Sequence, residues 1–182
     1  ADDTVEATTS GIRRARDAGA DILITMGGAS VGDHDLVKRS LETEGVAMAF
    51  WRIAMRPGKP MMHGHLGAMR VIGLPGNPVS SYVCGFLFLV PLIRALSGRT
   101  DIHHVRETAL LGRDLGPNDH REDYLRARLE ARADGALIAL PVNAQDSSLL
   151  GNLAAARALL IRPPLAPRAA TGTIIASLPP PE

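Results

Sequence analysis

Three short stretches of this 182-residue chain carry residue types that can do chemistry. The first is GGASVGDHD, from Gly27 to Asp35. Gly27, Gly28 and Gly32 let the main chain come close to a ligand. Ser30 offers a hydroxyl donor, and Asp33 and Asp35 are carboxylates able to bind Mg2+ or carry a proton. The second is RIAMRPGKP, from Arg52 to Pro60. It gathers Arg52, Arg56 and Lys59, with Pro57 and Pro60 to stiffen the chain and Gly58 to permit a turn. Cations on a rigid loop suit an oxyanion or a phosphate. The third is GLPGNPVS, from Gly73 to Ser80. Pro75 and Pro78 restrict φ on either side of Gly76, Asn77 suits an N-cap, and Pro78 suits the first helical turn. The N–H groups of Val79 and Ser80 would then form a preorganised anion site.

Each stretch also has a plain structural reading. The first is neither GxGxxG, because Ala29 holds the second glycine position, nor a P-loop, because no GK[ST] follows. Its acids can serve as helix caps alone. The second can be a surface turn with solvated charges, and the third an ordinary helix start. What joins them is placement, since open α/β sheets bind ligands where loops leave strand ends. Together they offer glycine backbone, three cations, two acids and a helix N-terminus. That set suits a phosphorylated, nucleotide-like or oxyanion ligand.

The elements that hold these loops can be read from pattern. DTVEATTSGIRRARDAGADILIT reads as helix, turn and strand, with Val5, Ile12 and Ala15 on one helical face and Gly19 as a C-cap. DLVKRSLETEG reads as a helix ending at Gly45. VAMAFWRIAM reads as one strand buried on both faces, with Arg52 its exception. MMHGHLGAMRVIGL holds two strands joined around Gly67. The alternation predicts an α/β domain over residues 1–98, with a mostly parallel sheet, helices on both faces and its first strand missing. The pattern changes at Ser97–Asp101. Beyond it, His103–Leu111, Tyr124–Leu129, Ala136–Leu140, Ala158–Ile161 and Thr173–Leu178 read as short strands, which predicts a small β-barrel over residues 99–182. SSLLGNLAAARA reads as a short helical insert.

Bulk properties exclude several classes of function. Net charge is +1 and aromatics are 3%, so neither a global field nor a stacking platform points to nucleic acid. The most apolar stretch, Tyr82–Leu96, is interrupted by Gly85 and Pro91, and its uncharged part falls short of the roughly 18 residues of a membrane span. It reads as a core or interface helix. The single cysteine, Cys84, lies in that stretch and reads as a buried thiol, which fits a reducing, cytoplasmic compartment. The polar, acidic N-terminus is unlike a signal peptide. Trp51 reads as core. His63 and His65 alternate as on a strand, a weak metal spacing, and His103 and His104 have no partner in the pattern.

In this order and spacing, GGASVGDHD, RPGKP and GLPGNPVS resemble the molybdopterin molybdotransferases, the MoeA family, which includes the E domain of gephyrin. YLRARL and QDSSLLGNLAAARALLI resemble that family's C-terminal β domain, so the resemblance covers the whole chain. It implies insertion of molybdate into adenylylated molybdopterin, giving molybdenum cofactor and AMP, with Mg2+ required, in a cytosolic homodimer. It implies that Gly27, Gly28, Ser30, Gly32 and the loop of Pro75, Gly76, Asn77, Pro78 and Ser80 line the pterin-nucleotide site. It further implies that Asp35 and Asp2 are catalytic acids, Asp35 also holding the metal, and that Arg56, Lys59, Arg126 and Ser147 bind molybdate. Arg52 and Arg56 stand where the family often has lysine, which keeps charge and changes donor geometry. The family's further N-terminal domains are absent from this chain.

Two other readings compete. A molybdopterin adenylyltransferase shares the α/β domain, but the second domain and RPGKP argue against it; such an enzyme is also a possible partner. A non-catalytic molybdopterin-binding scaffold would need an anion site alone, whereas Asp35 adds an acid beside it.

Overall fold

The computed structural model describes residues 4–27, 36–142 and 155–179. The chain divides into two compact units, Ala1–Ile53 with Gly58–Gly85, and Ala54–Pro57 with Phe86–Glu182. This differs from the expected division at residues 98 and 99. Four residues of the expected first domain, Ala54–Pro57, and its last residues, from Phe86 onward, belong to the second unit.

The first unit begins with α1 (Val5–Asp17), whose N-cap Thr4 accepts from the N–H of Ala7 at 3.1 Å. Gly19, at φ 70, follows the helix end. β1 (Ile22–Met26), α2 (Leu36–Thr43) and β2 (Ala47–Trp51) come next. The short β3 (Met55–Arg56) belongs to the second unit, and β4 (Met62–Leu66), β5 (Met69–Leu74) and α3 (Pro78–Cys84) return to the first. The sheet order is β1-β5-β4-β2. Only β1–β5 is parallel, while β5–β4 and β4–β2 are antiparallel.

The expectation of a mostly parallel sheet is therefore corrected: the sheet is mixed. The physical reason is the tight connection at Gly67 between β4 and β5, since a parallel pair needs a long crossover. Ile12 and Leu41 from α1 and α2 pack with Val46, Met69 and Val71 on one face. On the alternate face Ile72 is buried, yet its register partner Ile24 is 43% exposed. The single strand expected over VAMAFWRIAM is also two. Arg52 turns the chain at φ 82, and Met55–Arg56 joins the other sheet.

In the second unit, β6 (Glu107–Leu111), β7 (Glu122–Ala131), β8 (Leu137–Pro141), β9 (Ala158–Arg162) and β10 (Ile174–Leu178) match the five expected segments. They pair in the order β7-β8-β6-β10-β9, and β9 pairs back with β7, closing a five-stranded barrel. Ala109, Leu111, Ala127, Ala139, Leu160 and Ile175 fill it. The ten-residue β7 makes closure possible. Its first half pairs with β9 and its second with β8, while its first two residues also take β3 in parallel register.

Pro78–Leu96 runs as one helix, through a π-helical turn at Gly85–Leu89 into α4 (Val90–Leu96). Its length and composition alone would let it cross a membrane, and a third of it is buried. Gly85 and Pro91 lie within this helix without ending it, and the π-helical turn starts at Gly85 and ends before Pro91. Of the helical insert expected at SSLLGNLAAARA, residues 147–154 lie outside the described residues, and the last four, residues 155–158, are not helical and lead into β9.

Candidate functional site

Strand register decides where the three loops emerge. Thr25 pairs with Gly73, Gly73 with Met62, and Met62 with Trp51, so one row crosses the sheet from β1 to β2. Gly27 follows β1 just past this row, Pro75 follows β5, and Arg52 follows β2. All three chains thus leave at the same sheet edge. Gly73 sits in the row because a Cβ there would lie 2.6 Å from the Met62 side chain.

The first and third loops touch. The N–H of Gly27 donates to the carbonyl of Leu74 at 3.1 Å. A Cβ on Gly76 would lie 3.3 Å from the Cα of Gly27, and Gly27 itself has φ 80. Glycine at 76 lets the two main chains approach this closely, and glycine at 27 suits the left-handed backbone there. Pro75 is buried, whereas Gly76 and Pro78 are exposed.

Asn77 is the N-cap expected. Its Oδ1 accepts from the N–H of Val79 at 3.1 Å and of Ser80 at 3.3 Å. This corrects one expectation, because those two donors are engaged by the cap and do not stand open to an anion. Ser80 is 6% exposed.

The second loop divides its cations. Arg52 lies with its guanidinium 4.1 Å from the centroid of Trp51, and Lys38 Nζ lies 4.5 Å from the same ring. Trp51, expected in the core, is half-buried and carries two cations. The N–H of Arg52 donates to the carbonyl of Met61 at 2.9 Å, and that of Ile53 to Lys59 at 3.0 Å, which closes the loop on itself. Lys59 is exposed and makes no ion pair among the described residues.

Arg56 belongs to the second unit and is engaged there. Its Nε donates to Asp123 Oδ1 at 2.8 Å, and its Nη2 donates to Asp123 Oδ2. Nη1 lies 3.5 Å from Asp119 Oδ2. Arg121 binds Asp119 more closely, at 2.7 Å, and holds that carboxyl well below the usual carboxylate range, with Arg56 adding to the effect. Arg126, expected beside the same anion, is 1% exposed within the barrel unit. Asp119 and Asp123 were not singled out in the sequence. Arg56 and Asp123 are 67 positions apart, and no spacing rule joins them.

Several expected residues lie outside the described ones: Asp2, Gly28, Ser30, Gly32, Asp35 and Ser147. Among the described residues no group of three His, Cys, Asp or Glu side chains is placed to hold a metal. His63 lies in β4 with its ring 5.7 Å from that of Phe50, and burial, then Arg70 and His65, push its imidazole below the usual range. Cys84 is the buried thiol expected, pushed up to about 12 by burial.

The fold is an α/β unit followed in the chain by a closed five-stranded barrel. The chain belongs to the family described as "Probable molybdopterin binding domain", which matches residues 1–95. The MoeA C-terminal region (domain IV) matches residues 108–179. A molybdopterin molybdenumtransferase of Bacillus subtilis (strain 168) is 36% identical over 143 residues, covering 79% of this chain and 33% of that protein. One of Haemophilus influenzae is 48% identical over 80 residues, covering 44% of this chain and 20% of the relative. The chain thus spans a third or less of the length of these relatives. The crystal structure of the molybdopterin biosynthesis MoeA protein from Pyrococcus horikosii aligns with a TM-score of 0.77 and 24% identity, over 98% of this chain and 42% of that one. That likeness speaks to the fold.

Proposed function

We propose that the protein is a molybdopterin molybdotransferase, inserting molybdate into adenylylated molybdopterin to give molybdenum cofactor and AMP. The observation that carries this reading is the row Thr25–Gly73–Met62–Trp51, which brings two glycine loops and a cationic loop to one sheet edge. The names of the relatives support the same chemistry.

In this reading the Gly27–Gly32 loop and the Pro75–Pro78 loop take the pterin nucleotide. The contact between Gly27 and Gly76 leaves main chain, not side chain, at the surface that a phosphate meets. Lys59 and the outer edge of Arg56 meet molybdate, a dianion that must exchange its hydration for fixed donors. Arg126 and Ser147 are assigned to the same anion on the resemblance. Asp35, with Asp2, is assigned to adenylate cleavage. Their carboxylates are the hard oxygen donors that Mg2+ takes, and the ion would supply positive charge at the reacting phosphates. A homodimer is supported by the helix Pro78–Leu96, apolar yet two-thirds unburied, with Ile93 and Leu96 exposed. A cytoplasmic setting is supported by the lone reduced thiol of Cys84. As family units, the two domains are proposed to meet near residues 98 and 99.

The test is to supply the purified intact protein with adenylylated molybdopterin and Mg2+, with and without molybdate. Molybdate-dependent release of AMP together with molybdenum cofactor is expected. AMP release that ignores molybdate would remove this reading, and no turnover at all would favour a scaffold.

A further inference from the structure

Arg56 does not stand free for a ligand. Asp123 grips one edge of its guanidinium through both carboxylate oxygens, and Asp123 is 3% exposed. The two residues are register partners on the parallel strands β3 and β7. A carboxylate closed off from water needs its counter-charge, and removing the partner leaves a buried uncompensated charge. The inner edge of Arg56 is therefore committed.

A guanidinium has five N–H donors in a planar fork. Two serve Asp123, which leaves both hydrogens of Nη1 and one of Nη2. This outer edge is reachable, since the Arg56 side chain is 48% exposed. It faces Asp119, whose Oδ2 is 3.5 Å from Nη1, close enough for an ion pair and too far for a hydrogen bond of good geometry. Asp119 has a nearer partner in Arg121, whose Nη2 donates to Oδ2 at 2.7 Å and whose main-chain N–H donates to Oδ1 at 2.8 Å. Asp119 thus keeps its place without Arg56, and Arg56 keeps its place without Asp119.

Resting on the reading of Arg56 as an oxyanion contact, we propose a division of labour between these two acids. Asp123 is a positioning residue that aims the outer edge of Arg56. Asp119 is a competing counter-ion that the incoming oxyanion displaces from Nη1, so it sets how much molybdate the site requires. Its low carboxyl pKa keeps it ionised, so the competition holds across neutral and mildly acidic pH. A tetrahedral dianion offers Nη1 and Nη2 two oxygens at hydrogen-bond distance, where Asp119 offers only a longer charge contact.

The experiment is a calorimetric titration of sodium molybdate into the intact protein with adenylylated molybdopterin bound and Mg2+ left out, so that binding is read without turnover. Five proteins are compared: wild type, Asp119→Asn, Lys59→Ala, Arg56→Gln, and Asp119→Asn in the Arg56→Gln background. Asp119→Asn keeps an acceptor for Arg121 and removes one charge. Losing an exposed competing ion pair should tighten molybdate binding about two- to fivefold. In the Arg56→Gln background the same change should have no effect. Unchanged affinity in Asp119→Asn, with wild type binding and Lys59→Ala weakened, overturns this proposal and leaves the molybdate reading intact. No molybdate binding by wild type overturns both. A second measurement needs no variant: the Arg56 Nε–H resonance of wild type should hold its position as molybdate is added, because Nε stays on Asp123. A large shift of that resonance means Arg56 leaves Asp123, and the division of labour is then wrong.

Discussion

The Nε2 atom of His104 lies 2.6 Å from the main-chain oxygen of Phe86, and the two rings stack with centroids 3.7 Å apart. The π-helical turn explains the contact. In an i→i+5 pattern the carbonyl of Phe86 looks to residue 91, and Pro91 has no N–H. His104 supplies the missing donor from outside the helix. Removing it with His104→Ala should cost about 1–3 kcal/mol, the range for a carbonyl left unpaired. Pro91→Ala restores a main-chain donor, so the cost of His104→Ala should shrink in that background. Denaturant unfolding of the four proteins of this cycle measures the coupling. Full additivity would contradict the explanation.

Asn77 closes the start of α3 by accepting from Val79 and Ser80. Asn77→Ala should lower stability by about 1 kcal/mol, and Asn77→Asp should preserve most of it. The amides of Val79 and Ser80 should exchange with solvent faster in Asn77→Ala alone. Equal exchange in the wild type and Asn77→Ala would show that the cap does not hold them.

Asp114 predicts an acid limb of stability. The N–H of Thr171, then the guanidinium of Arg168 and the hydroxyl of Thr171, hold its carboxyl at about 2. Its ordinary value is near 4, so the folded state releases this proton more readily than the unfolded chain. The stabilisation is complete above about pH 4 and is lost as pH falls toward 2. The Tm of the wild type should drop through that window more steeply than the Tm of Asp114→Asn. Parallel curves would refute the assignment.

Cys84 should be inert. Burial pushes its thiol up to about 12, and its Sγ faces the carbonyl of Gly58 at 3.8 Å. A thiol reagent at pH 8 should label it only after denaturation. Rapid labelling of the native protein would mean that this part of the first unit opens.

Much of this architecture could be read from pattern. The five barrel strands announce themselves as short apolar runs between turn residues, and Asn77 and Pro78 mark the start of α3 by local chemistry alone. What escaped were pairings between distant segments. The apolar run Val46–Met55 has no period that says where one strand ends, and only Arg52 at φ 82 and the pairing of β3 with β7 divide it. The clamp on Arg56 was hidden for the same reason, since Asp123 lies in a separate charged stretch whose partner depends on barrel closure. The mixed sheet followed from one tight turn at Gly67, whose geometry outweighed the strand–helix alternation around it.

The proposed function has the loop edge of the first unit present molybdate to a bound pterin nucleotide, with Lys59 as its cation. Its most direct test is AMP release by the intact protein with adenylylated molybdopterin, measured against molybdate concentration in the wild type and Lys59→Ala. Losing one charge-assisted contact, about 1.5–3 kcal/mol, should raise the half-saturating molybdate concentration about 10- to 150-fold. The affinity for adenylylated molybdopterin should stay the same. A Lys59→Ala protein with the molybdate dependence of the wild type would contradict the account.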